Sequence, residues 1–186
     1  MMRRFLDGLY RLALWLSALC LVVIAMLVGL QLAGRILDGL LKLAGLPPYG
    51  FVILSLSEIA GYLLAAASFF ALAATLKAGA HIRVTMLLSA VGEARRHVLE
   101  IWAFGASAVF CAYMTWNLAS FAFVSWQFHE VSPGLIPVPL VYPQAAMAVG
   151  AFILTVSLID ECMIVFRRGR PTFRAAEDAI TLGKEG

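Results

Sequence analysis

Charge is what this chain has least of. Of its 186 residues, 13% are Asp, Glu, Lys or Arg, while 62% are hydrophobic. A soluble domain carries about 25% charged and about 45–50% apolar residues, so a free globular enzyme in water is excluded. Long polar stretches are also missing, which leaves no room for a soluble catalytic or ligand-binding domain. Cysteine occurs only as Cys20, Cys111 and Cys162, without close spacing and always within apolar runs. Such free cysteines pack as small hydrophobes, so neither a disulfide framework nor a thiolate metal site is expected. Histidine is equally sparse. His81, His97 and His129 sit at the edges of apolar runs or in a loop, so no pair is placed at a suitable depth to hold a haem. No nucleotide loop, zincin pattern or nucleophile elbow occurs. No catalytic, substrate-binding or metal residue is therefore assigned, and no cofactor is expected.

Long apolar runs are what the chain does have. A helix needs about 20 apolar residues to cross about 30 Å of hydrocarbon, and four runs qualify: Leu12–Ala33, Val52–Leu76, Val98–Val124 and Gln144–Phe166. They are continuous rather than alternating, so they read as helices and not barrel strands. The expected fold is all-α integral membrane, with residues 1–170 as one four-helix domain and 171–186 as a polar cytoplasmic tail. The first run is too long for a signal-peptide core and is expected to stay uncleaved. Between the second and third runs, Met86, Leu87, Ala90, Val91, Ala94 and Val98 recur at helical spacing opposite Arg83, Ser89, Glu93, Arg95 and Arg96. This pattern predicts an amphipathic helix in the membrane interface; the alternative is the start of a long third helix.

Orientation follows from the basic residues. Arg3, Arg4 and Arg11 precede the first span; Lys77, Arg83, Arg95 and Arg96 lie between the second and third; Arg167, Arg168, Arg170, Arg174 and Lys184 follow the fourth. The first outer loop holds only Arg35 and Lys42, and the second holds none. Both termini and the middle loop are thus expected in the cytoplasm. Arg83, Arg95, Arg96, Arg167 and Arg168 are placed to meet lipid headgroups, and nothing points to nucleic acid.

Ionisable groups inside spans are costly and usually have a role. Glu58 lies about two turns into the second span, with Arg35 nearest in depth as a partner. Glu100 is expected to reach Arg96, and Asp160 and Glu161 to reach Arg167 and Arg168. Asn117 and Gln144 are expected to bond between helices. The second span is rich in small residues, including Gly61, Ala65, Ala67 and Ser68, which favour close helix approach. It is therefore the span expected to be most packed against protein. The proline-rich loop from Gln127 to Tyr142 is expected to be stiff and extended.

Two stretches carry a family resemblance. Ser57-Glu58-Ile59-Ala60-Gly61-Tyr62 opens a small-residue span that ends in Gly79-Ala80-His81-Ile82-Arg83-Val84, and Ile136-Pro137-Val138-Pro139 leads through Tyr142-Pro143 into the fourth span. In this order the chain resembles the small membrane subunit, DctQ-like, of tripartite ATP-independent periplasmic (TRAP) transporters. It departs from that pattern at Thr85, where aspartate is frequent, and in lacking a tryptophan in the proline-rich lead. The resemblance implies a scaffold subunit in the bacterial inner membrane. It would sit beside a large membrane subunit and a periplasmic substrate-binding protein, in a sodium-driven importer of small organic anions such as carboxylates. On that reading Glu58, Gly61, Ala65, Ser68, His81 and Arg83 are the partner-interface candidates. The alternative from composition alone is a membrane anchor of a redox complex, which a Soret band would reveal.

Overall fold

The computed structural model describes residues 2–78 and 93–168. Four helices lie within them: α1 (Met2–Leu43), α2 (Leu56–Lys77), α3 (Glu93–Gln127) and α4 (Val141–Arg168). Each is long and apolar enough to cross a membrane, and the protein is an all-α membrane protein. Among the described residues the one β pairing is an isolated bridge between Val131 and Pro139.

α1 does not stop near Ala33. It holds 42 residues, about 63 Å at 1.5 Å per residue, roughly twice the hydrocarbon thickness. Ile36, Leu37, Leu40 and Leu41 keep the helical period, and Gly45 in a left-handed conformation (φ 73°) ends it. Pro47 and Pro48 then prevent its renewal. The chain doubles back along α1. Asp38 Oδ1 accepts the amides of Tyr49 (2.7 Å) and Gly50 (3.1 Å), and Gln31 Oε1 accepts the amide of Ile53 (2.7 Å). Gly34 makes room for Phe51, whose ring a Cβ would meet at 2.9 Å.

This return run is why α2 begins at Leu56 and not at Val52. Residues 52–55 are spent reaching the top of α2, and Ser55 turns the chain with φ 54°. α3 begins at Glu93, so residues 93–98 belong to α3 rather than to a separate interfacial helix. The rest of that expected helix, with His81 and Arg83, lies outside the described residues. So do the side chains of Arg95, Arg96 and Arg168, and the tail.

The helices form an open row in the order α1, α2, α4, α3. α4 packs broadly on α3 and on α2, α2 on α1, and α1 barely reaches α4. One core cluster joins α2, α3 and α4 through Leu76, Phe104, Ala108, Leu158 and Val165. A second joins α1, α2 and α4 through Tyr10, Ala13, Ala73 and Ile153. Within the chain itself the most buried helix is α4. Small residues on α4 explain this: Ala148, Ala151 and Ser157 are buried. Gly150 lies against α2 so closely that a Cβ there would come within 2.7 Å of the Phe69 backbone.

Candidate subunit interface and its polar anchors

Each end of α2 carries a polar anchor. At the first end the anchor is Lys77, in the last turn of α2. Its Nζ bonds Asp160 Oδ2 at 2.5 Å and Glu161 Oε1 at 2.9 Å, and stands 5.3 Å from the ring centre of Tyr10. Glu161 is fully buried, as is Ser157 one turn earlier on α4. Three helices thus converge on one ammonium. α2 and α4 run parallel, so Lys77, 21 residues past Leu56, falls level with Asp160, 19 past Val141. That depth match was readable in the sequence, where Arg167 and Arg168 were the expected partners. Ser157, Glu161 and Val165 follow one another at i, i+4, i+8 on the face of α4 that meets its neighbours, which brings Glu161 to Lys77, whereas Arg167 is exposed and the side chain of Arg168 lies outside the described residues. Burying these charges is tolerable because they meet within the chain.

At the other end the anchor is Glu58. Tyr62 Oη donates to Glu58 Oε1 at 2.9 Å, one helical turn away. The carboxylate rests against Gly134 of the α3–α4 loop, where a Cβ would overlap it. Ser55 Oγ accepts the amide of Ile136 at 3.1 Å instead of capping α2. The loop is closed on itself: Ser132 donates its amide to Val138 (2.9 Å) and Leu140 to Glu130 (3.0 Å). Glu130 Oε2 accepts from Ser125 Oγ at 2.6 Å. The expected stiff, extended loop is therefore a small hairpin latched onto the start of α2. Glu58 engages Tyr62 and this loop, not Arg35, which is exposed on α1.

The small residues of α2 divide between two faces. Ala66 and Ala67 are buried inside the chain, so Ala67 supports the subunit's own fold. Ser57, Gly61, Leu64 and Ser68 form the exposed stripe of α2, spaced i, i+4, i+7, i+11. A Cβ on Gly61 would meet nothing within 4 Å. Ala65 is half-buried beside this stripe, and Ser68 Oγ is satisfied by its own helix at Leu64 O, 2.8 Å away. Gly61, Ala65 and Ser68 thus share one side of α2, Glu58 sits beneath the loop, and His81 and Arg83 lie outside the described residues. At the far edge of the row, Trp102, Val109, Phe110 and Tyr113 flank a shallow apolar groove floored by Gly105 and Ala106. Among the described residues, the polar groups expected to bond between helices make no such bond. Asn117 donates to Tyr113 O in its own helix, and Gln144 Oε1 has no partner among the described residues. Thr115 and Thr155, 3.2 Å apart, supply the bond from α3 to α4 instead.

Fold and anchors together define a four-span helical membrane protein that pairs Lys77 with Asp160 and Glu161 within its own row and turns apolar faces outward. Residues 49–168 match the family model of tripartite ATP-independent periplasmic transporters, DctQ component. The chain belongs to that family and is the small-subunit component of a TRAP transporter. The match begins at Tyr49, so α2, α3 and α4 lie within it and α1 precedes it. No curated protein matches the chain significantly.

Proposed function

We propose that this subunit is the static brace of a sodium-driven importer of small organic anions, carboxylates among them. Its partners are a large membrane subunit, which carries substrate and ion, and a periplasmic binding protein that delivers the substrate. It sits in the bacterial inner membrane with its Lys77 end and both termini on the cytoplasmic side, as its basic residues require. Residues 1–170 act as one membrane unit.

The observation that carries this reading is the open row. A closed four-helix bundle would bury its seams on all sides; here α1 and α3 are edges, and Trp102, Val109, Tyr113 and Trp116 point away from the fold. Inside, the charged cluster at Lys77 ties three helices to each other, as a rigid support requires. The exposed Gly61 stripe lets a partner helix approach α2 closely, where dispersion contacts drive association. Family membership adds the context of the transporter. Tagged subunit should co-purify with the large membrane subunit, and reporters at Gly186 and within the Pro133–Pro139 loop should mark opposite sides of the membrane. Recovery of the subunit alone, or both reporters on one side, would sink the proposal.

A further inference from the structure

α1 overshoots the bilayer, and its overshoot is apolar. Two contacts fix its register. Lys77 Nζ stands over Tyr10 at one end, and Ile53 bonds Gln31 at the other, so Tyr10–Gln31 runs alongside α2. Those 21 steps cover about 32 Å, the thickness of the hydrocarbon. The bracketing cations agree, since no charged residue lies between Arg11 and Arg35. The twelve residues from Leu32 to Leu43 then rise about 18 Å further. A headgroup layer is only about 5–8 Å deep, so the tip of this arm stands roughly 10 Å beyond it. A tilt large enough to bring the whole helix into hydrocarbon would be near 60°, past the usual 0–40° range.

The arm has two faces. Gln31, Gly34, Asp38 and Leu41 meet the returning chain, and Asp38 is neutralised there by the Tyr49 and Gly50 amides. Opposite them, Leu32, Ile36, Leu37, Leu40 and Leu43 form a stripe about 140° wide on a helical wheel. All five are exposed, Leu43 by 88%. Arg35 and Lys42, both exposed, run along one edge of the stripe. Apolar surface of this kind standing in water marks a contact site. Lipid tails do not reach it at that height.

We infer that this arm is a docking surface for the extramembrane face of the large membrane subunit, through an apolar patch rimmed by carboxylates facing Arg35 and Lys42. The inference rests on the subunit reading above. A permanent partner is favoured over the soluble binding protein because obligate interfaces are the more hydrophobic ones. The stripe also continues the exposed face of α1 within the membrane, at Trp15, Leu19, Val22 and Met26. One partner can therefore follow α1 from the hydrocarbon into the water.

The test places a fluorophore on a Leu43→Cys variant in which Cys20, Cys111 and Cys162 are changed to Ser, with Val22→Cys as the lipid reference. In vesicles holding the subunit alone, aqueous iodide should quench position 43 roughly five-fold more than position 22, since one is in water and the other in hydrocarbon. Brominated lipid should do the reverse. In vesicles holding the assembled membrane complex, iodide quenching at 43 should fall about three-fold, because an interface core excludes water. Arg35→Glu with Lys42→Glu should restore it. In vesicles holding the subunit alone, quenching of position 43 by brominated lipid as strong as at 22 would show an arm lying in lipid and overturn the inference. So would unchanged iodide quenching in an assembled complex, or a fall that comes only when binding protein is added. A tagged subunit that brings down no large subunit would sink the subunit reading and the docking partner together, whereas an assembled complex with an open arm sinks the docking surface alone.

Discussion

Replacing Lys77 by methionine removes the ammonium that Asp160 and Glu161 share while keeping the length of the side chain. The side chain of Lys77 is 19% exposed, that of Asp160 20% and that of Glu161 0%, so water screens the cluster little. Removing one partner from a buried ion pair costs about 3–5 kcal/mol. Proton uptake by a carboxylate and relaxation toward the interface would trim this, and a loss of about 2–4 kcal/mol is expected for Lys77→Met. Lys77→Arg keeps the charge and should lose about 1 kcal/mol or less beyond its misfit. Pairing Lys77→Met with Glu161→Gln should recover much of the loss, because the buried charge goes with its partner, giving a coupling of at least about 1.5 kcal/mol. Reversible unfolding in mixed micelles, followed for wild type, both single variants and the double variant, reads these differences directly. A Lys77→Met subunit as stable as wild type, or additive single effects, would refute the view that this cluster clamps α1, α2 and α4.

Gly150→Ala should destabilise the isolated subunit by about 1–3 kcal/mol in the same assay, since the added methyl meets the Phe69 backbone at 2.7 Å. Gly61→Leu should leave the subunit as stable as wild type yet lower the yield of co-purified complex, because its Cβ enters open space on the outer face. Ala67→Leu should instead weaken the subunit itself, as Ala67 is buried within it. Gly134→Ala should displace the Glu58 carboxylate and speed hydrogen exchange at the Ile136 amide, which bonds Ser55, as the latched loop loosens; unchanged exchange would contradict the latch.

The membrane class and the four helices were legible because lipid imposes a single rule: apolar runs long enough to span, with every backbone group bonded internally. Boundaries were harder: the first apolar run was read only to Ala33, whereas α1 runs on to Leu43, before the breakers Gly45 and Pro47. The boundary also failed at Val52, where an apolar stretch serves as a return strap to Gln31 and Asp38 and not as helix. Packing within the chain is decided by which face small residues occupy: Gly150, Ser157 and Ala151 on α4 occupy the inner one, whereas Gly61 and Ser68 on α2 face outward. Side-chain partners were hardest to read. Arg167 looked close to Glu161 along the sequence, but Lys77 is nearer across the fold, since parallel helices ending on one side bring 77 and 160 to the same depth. Tyr62 was the simplest partner to miss: it sits at i+4 from Glu58, where helix geometry alone places a donor. The contact between Gly134 and Glu58 had no local signal, because it depends on how the α3–α4 hairpin folds over α2.

The central claim is that this subunit braces the transporter and takes no direct part in moving substrate or ion. Sodium-driven uptake per assembled complex, measured in liposomes for Glu58→Gln beside wild type, tests it most directly. Glutamine at position 58 can still accept the Tyr62 hydroxyl, so the account predicts normal assembly and uptake per complex close to wild type, with any loss in Glu58→Leu tracking loss of complex. A Glu58→Gln complex that assembles fully but no longer drives uptake with sodium would contradict it.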